Sequence, residues 1–220
     1  MPAGPLSSEA NKLPQDQELL RECLAVSGFL AVAADDKYFE VKRGRLSPLY
    51  LSMKALWKRP DIVASIDEHL LAINSDRPWD VVVGVAFGGI PHAVTLARQL
   101  RAPLVLWRGN QGDGRQLAGD VPTSAQSALV VEDVLATGSS AEPSVAVLRS
   151  LVPVIRLTAV FTYGLDDLIT ATRSIDVSTL FQVDRLVDLL EIDTHGQLTV
   201  RYAEFRNRLK AEVLAARGAS

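Results

Sequence analysis

Ala128-Leu-Val-Val-Glu-Asp-Val-Leu-Ala-Thr-Gly-Ser-Ser140 is the stretch that decides how the rest of the chain is read. Its four leading apolar residues, Ala128 to Val131, predict a strand buried on both faces, as in a parallel sheet. Glu132 and Asp133 follow where that strand is expected to end, then the small, hydroxyl-bearing run Ala136-Thr-Gly-Ser-Ser140, and Pro143 opens a helical pattern. Unpaired N–H groups and the positive end of the dipole at a helix start favour a phosphate. Two carboxylates beside them accept hydrogen bonds from vicinal hydroxyls. The combination predicts a site for a phosphorylated sugar.

Working outward, strands and helices alternate. Trp79-Asp-Val-Val-Val-Gly-Val85 predicts a second buried strand, ended by Ala86-Phe-Gly-Gly-Ile-Pro91, and Ile90, Ala93, Val94 and Ala97 carry the spacing of a helix face. This glycine turn is not G-x-G-x-x-G, so a dinucleotide fold gains little support. Pro103 to Trp107 predicts another strand, and Arg108 to Gly119 a glycine-rich mobile loop. Beyond the helix from Pro143, strands are expected at 153–161 and 176–181, with helices near 165–173 and 183–190. Such alternation implies a parallel sheet with helices on both faces. Its ligand site falls at the carboxyl ends of the strands, which gathers the 86–91, 108–119 and 132–140 loops at one edge.

The flanks read differently. Residues 1 to 16 are expected to form a flexible arm, and 17–220 a single domain. Leu19, Leu20, Cys23 and Leu24 share a helix face ending near Gly28. Two short strands are expected around the turn Arg43-Gly-Arg-Leu-Ser-Pro48, the first from Tyr38 and the second from Leu49 to Met53. Six cationic residues and no acid lie between Val41 and Arg59, an imbalance that focuses field on an anion or simply solvates a hairpin. Asp193-Thr-His-Gly196 reads as a turn before a strand at Leu198 to Tyr202, and His195 is given no role. A closing helix carries Phe205, Leu209 and Val213 on one side.

Composition limits the function classes. A net charge of −3 and a pI near 5.6 argue against nucleic acid as a partner. The lone cysteine, Cys23, excludes an internal disulfide and suits a reducing compartment; it reads as a small core hydrophobe. No signal-type segment or membrane-length apolar run is present in the sequence, so a cytoplasmic protein with no membrane partner is expected.

Val130-Val-Glu-Asp-Val-Leu-Ala-Thr-Gly-Ser139 resembles the phosphoribosyl pyrophosphate (PRPP) motif of type I phosphoribosyltransferases. Within that group the chain is similar to the orotate phosphoribosyltransferase family. Lys42-Arg-Gly-Arg-Leu-Ser-Pro-Leu-Tyr50 resembles its Lys-Ser-Gly-Arg-x-Ser-Pro-x-Tyr segment, Val83 to Ala93 its pyrophosphate loop, and Ser178-Thr-Leu-Phe-Gln-Val-Asp-Arg-Leu186 its late segment. The resemblance spans about residues 19 to 190. It implies an α/β fold with a five-stranded parallel core (about 60–190), a small N-terminal hood (about 17–57) and a homodimer, to which the residue pattern adds a C-terminal strand and helix (197–217).

The same resemblance implies the site. Glu132 and Asp133 would hold the ribose hydroxyls, and Ala136, Thr137, Gly138, Ser139 and Ser140 the 5-phosphate. Phe87, Gly88 and Gly89 would line the pyrophosphate through backbone groups, facing the cations Lys42 and Arg108. Mg²⁺ would bridge ligand oxygens, held mostly by ligand and water rather than by protein side chains. Tyr50 and Tyr163 would wall the base. The implied partners are PRPP and a nucleobase, orotate or another, with Glu132, Asp133 and Arg108 carrying catalysis.

Three departures stand out. The family's mobile loop presents a lysine and a histidine over the neighbouring subunit's site, whereas Arg108-Gly-Asn-Gln-Gly-Asp-Gly-Arg-Gln-Leu117 holds neither. Arg115 is the only loop cation that stands in for them. Val160-Phe-Thr-Tyr163 replaces a Val-Asp-Arg ending whose arginine grips the orotate carboxylate. Gly88 stands where some members place a lysine and others a glycine. Losing one preorganised donor costs roughly 10²–10³ in rate, and such losses are not additive. Two readings follow: a PRPP-dependent transferase whose acceptor base is open, and a non-catalytic PRPP-binding regulator or inactive partner subunit.

Overall fold

Val81, Val82, Val83, Leu129, Val130 and Val131 are fully buried, and strands apolar on both faces have to lie inside a sheet covered by helices. The computed structural model describes residues 9–34, 37–41, 44–85, 87–109, 116–191 and 197–217. Lys42, Ala86, Arg115 and His195 lie outside the described residues.

In chain order, helix α1 (Glu9–Ala25) leads to β1 (Leu30–Val32), β2 (Phe39–Val41), β3 (Arg45–Ser47), β4 (Leu49–Leu51) and the short α2 (Met53–Leu56). Then come α3 (Pro60–Ile73), β5 (Val81–Val85), α4 (Gly89–Leu100), β6 (Leu104–Trp107), β7 (Leu117–Ala118) and β8 (Ser127–Leu135). The chain continues through α5 (Glu142–Leu148), β9 (Val154–Thr162), α6 (Asp166–Arg173), β10 (Asp176–Gln182), α7 (Val183–Glu191) and α8 (Gln197–Arg217). The main sheet runs β10-β9-β8-β5-β6-β7. Its first five strands are parallel, as expected, and β7 adds a short antiparallel edge on β6. Sequence order reverses between β5 and β8, which makes their carboxyl ends the natural ligand crevice.

A buried polar knot fixes the bottom of this sheet. Asn74, at the end of α3, donates to Leu70 O (2.8 Å) and Thr158 Oγ1 (2.9 Å). It accepts from Ser178 Oγ (3.0 Å) and, through its carbonyl, from Trp79 Nε1 (2.8 Å). Every polar group brought into the core there has a partner, which is the condition for burying it without penalty. On the next helix, His92 Nδ1 lies 2.5 Å from Asp67 Oδ1, joining α4 to α3 with both side chains buried.

Several expectations are corrected. Helix α1 begins at Glu9 rather than Asp16, because its first turns are polar and carry no apolar stripe to read. The hairpin pairs Phe39–Val41 with Arg45–Ser47, so Arg45 to Ser47 is a strand and not part of the expected 43–48 turn. Leu49–Leu51 pairs instead with β1, a strand the sequence reading lacks. The corner is set at Ser47, whose hydroxyl donates to Leu49 O (2.6 Å), while Pro48 O accepts from Ala33 N (2.9 Å). The expected strand at 198–202 is the first turn of α8. Leu198, Tyr202, Phe205, Leu209 and Val213 are all buried at helical spacing, and that continuous stripe overrides the β-branched start.

Candidate PRPP and base site

Strand β8 outruns its neighbour. Its register with β5 ends at Val131, whereas pairing with β9 continues to Leu135. Glu132 and Asp133 therefore sit within the strand rather than after it, on an overhang whose β5 side is free of a ladder. The chain leaving β5 fills that side with the turn Phe87-Gly88-Gly89. A Cβ built on Gly88 would lie 1.7 Å from Asp133 Oδ2, and one on Gly89 would lie 2.2 Å from the carbonyl oxygen of Val131. Only glycines let this turn press against the overhang. The Asp133 carboxylate is held in place by accepting the Val134 N–H (2.9 Å), and the Glu132 side chain is buried.

The 136–140 loop follows at once. Gly138 has φ +75°, a left-handed conformation that glycine adopts without strain, and its carbonyl accepts from Ala141 N (3.2 Å) and Glu142 N (2.9 Å). Thr137 Oγ1 donates to Ser139 Oγ (3.1 Å). From behind, Arg173 of α6 donates to Thr137 O (3.1 Å) and pairs with Glu142, tying the loop to the start of α5. Sequence reasoning missed Arg173. Its one signal is a cation in the last turn of α6, far along the chain from the loop it holds.

These groups meet in a cavity of about 230 Å³. Its walls include Glu132, Asp133, all of Ala136 to Ser140, Tyr50 and Tyr163, so nine of the expected site residues converge. Arg45, from the cationic run read in the sequence, also lines it, and Phe205 and Leu209 of α8 are additions that the sequence did not point to. Phe87 is exposed; it, Gly88 and Gly89 form the rim against Asp133 rather than the cavity wall. Arg108 is exposed at the base of the β6–β7 hairpin, where its N–H donates to Gln116 O (2.9 Å), and it does not line the cavity. Arg108, expected to face the pyrophosphate, is thus not part of this cavity's wall. Lys42, the other expected cation, lies outside the described residues.

Tyr163 sits beyond the end of β9, buried, stacked on Tyr202 (centroids 6.2 Å) and edge-on to Phe205 (5.5 Å). Burial pushes its phenol well above the ordinary range, so it stays neutral. Chemically, the cavity offers two carboxylates for sugar hydroxyls, a hydroxyl-lined loop for a phosphate, and an aromatic wall for a planar ring.

Known proteins share its sequence and fold. Residues 52–166 match the phosphoribosyl transferase domain model. An orotate phosphoribosyltransferase of Bacillus pumilus is 33% identical over 162 residues, 70% of this chain and 76% of that protein. The crystal structure of orotate phosphoribosyltransferase from Aeropyrum pernix superposes with a TM-score of 0.63 at 25% identity, over 80% of this chain and 98% of that one. Leishmania donovani UMP synthase shares the fold, with a TM-score of 0.70 at 18% identity over 88% of this chain and 42% of its own longer chain. A motif-bearing overhang, a glycine turn against it and this kinship agree: the chain belongs to the orotate phosphoribosyltransferase family of type I phosphoribosyltransferases.

Proposed function

We propose that the protein transfers the 5-phosphoribosyl group of PRPP to a ring nitrogen of a nucleobase, with release of pyrophosphate. The observation that carries the reading is the junction of Asp133 with Gly88, which sets the two carboxylates directly against the glycine turn after β5. In the reaction the C1–oxygen bond to pyrophosphate breaks and a C1–nitrogen bond to the base forms. Glu132 and Asp133 hold the sugar hydroxyls, while the 136–140 loop anchors the 5-phosphate. Charge positioning of this kind supplies most of the rate in such transfers.

Mg²⁺ fits this donor set as a ligand-bridged ion. No group of three or more His, Cys, Asp or Glu side chains capable of enclosing a metal occurs among the described residues. Two neighbouring hard carboxylates are available, and Mg²⁺ is commonly bound by one or two carboxylates plus substrate phosphates and water. When bound, it neutralises charge on the departing pyrophosphate.

Orotate is the acceptor named for the relatives, and Tyr163 in place of the carboxylate-gripping arginine favours a base without that carboxylate. Relatives named as enzymes favour catalysis over the regulatory reading. The family resemblance read from the sequence implies a homodimer, and the single buried thiol suits a reducing, cytoplasmic setting. No described helix is long and apolar enough to cross a membrane. The test is Mg²⁺-dependent pyrophosphate release over a panel of bases: release with at least one base is expected, and none with any base contradicts the transferase reading.

A further inference from the structure

Helix α8 is clamped to both sides of the cavity. Toward the core, Arg206 donates to Tyr163 O (2.9 Å) and Gly164 O (3.0 Å), and Tyr202 donates to the Asp184 carboxylate. Toward the hood, Arg208 donates to Leu46 O (3.2 Å), Arg201 to Ala33 O (3.0 Å), and Glu212 accepts from Arg45 (2.7 and 3.0 Å from Nε). Between these clamps, Phe205 and Leu209 line the cavity together with Val41, Leu49, Leu51 and Tyr163. The wall apart from the 132–140 segment is therefore mostly apolar and aromatic. Among the described residues lining it, the one cationic side chain is Arg45, and its guanidinium is engaged by the Glu212 carboxylate.

From this wall we infer that the acceptor is an uncharged planar nucleobase of the uracil type, lacking the ring carboxylate of orotate, and that Tyr163, Phe205 and the Arg45–Glu212 pair determine that choice. The inference rests on the phosphoribosyltransferase reading and narrows its substrate class. A carboxylate brought against Tyr163, Phe205 and Leu209 would lose its water without gaining an unengaged cation among the described lining residues, a costly exchange for any ion. Arg45 already holds the Glu212 carboxylate, so a ring carboxylate would have to compete with it for that guanidinium. A neutral ring loses nothing by burial there and gains stacking against the Tyr163–Phe205 pair. The neutral Tyr163 phenol adds a hydroxyl able to donate to a ring carbonyl, a contact that would also serve a pyrimidine without a carboxylate.

Uridine 5′-monophosphate and orotidine 5′-monophosphate differ only by that carboxylate, so their binding reads the wall without requiring turnover. In calorimetric titration of the full-length protein, uridine 5′-monophosphate is expected to bind at least tenfold more tightly. Glu212→Gln, an exposed position that leaves Arg45 with a neutral partner, should narrow the preference several-fold. Tyr163→Arg should narrow or reverse it. Equal or tighter binding of orotidine 5′-monophosphate by the wild type overturns the inference, as does binding of PRPP with binding of neither nucleotide. Failure to bind PRPP itself counts instead against the parent reading.

Discussion

The Asp133 carboxylate occupies the space that a side chain on Gly88 would need, with Oδ2 1.7 Å from the position of a Cβ. The neighbouring Gly89 abuts the backbone of Val131 instead, 2.2 Å from its carbonyl oxygen. The two glycines therefore fail differently when replaced. Gly88→Ala meets the Asp133 carboxylate and, at 2.7 Å, its Cβ, so it should reduce kcat/KM by about 10²-fold with a smaller loss of melting temperature than Gly89→Ala. Gly89→Ala must move β8 itself, and should destabilise by about 1–3 kcal/mol. Thermal melts and steady-state kinetics on both variants separate the two effects.

Arg173 acts on the phosphate loop from behind and has no contact with the cavity, which its guanidinium does not line. Removing it frees the Thr137 carbonyl and the start of α5. Arg173→Ala should weaken PRPP binding by about tenfold, the scale of one lost charge-assisted hydrogen bond, with a smaller change in kcat. A KM effect smaller than twofold would show that the loop holds its shape without this anchor.

Acid lability should report on surface carboxylates that accept native hydrogen bonds. The Asp80 carboxyl is held below its usual value by the N–H of Gln126 (2.9 Å) and by the hydroxyl and N–H of Ser127 (both 3.0 Å). The Arg156 guanidinium does the same for Asp76. A carboxyl whose folded pKa is depressed adds stability that is fully present above its unfolded value near 3.9, and that stability is lost as pH falls through the lower folded value. Wild type should thus exceed Asp80→Ala in urea midpoint at pH 7, with the gap closing as pH drops below about 4. A gap that is constant with pH contradicts this.

Cys23 is fully buried on α1, and burial pushes its thiol up to about 12. Thiol reagents at pH 8 should label it only as fast as the core opens, so its labelling rate should track global unfolding in urea. Fast native-state labelling would place α1 outside the cooperative core.

The part of this architecture legible in the sequence is the part whose signal is local. Residues 128–140 announce a two-sided buried strand and a typed loop within one short window, and both are found at the cavity. The acids were expected after the strand because pairing length is set by the neighbours; β5 stops at Val131 while β9 does not, and no residue in β8 encodes that difference. Hood pairing was misread because the corner at Ser47 and Pro48 sends Leu49–Leu51 to a partner earlier in the chain. Arg173, Phe205 and Leu209 reach the site only through tertiary packing, so their positions carry no motif. Tyr163 shows the converse: its place was legible, and the structure adds the aromatic cluster it joins.

The central claim is that β8 and its loop form a PRPP site, and titration with PRPP in the presence of Mg²⁺ tests it most directly. The wild-type protein is expected to bind one PRPP per chain with a dissociation constant below about 1 mM, the upper end of ordinary substrate ranges. Asp133→Asn should weaken that binding at least tenfold without lowering the melting temperature. No binding by the wild type at millimolar PRPP, or an unchanged affinity in the variant, would contradict it.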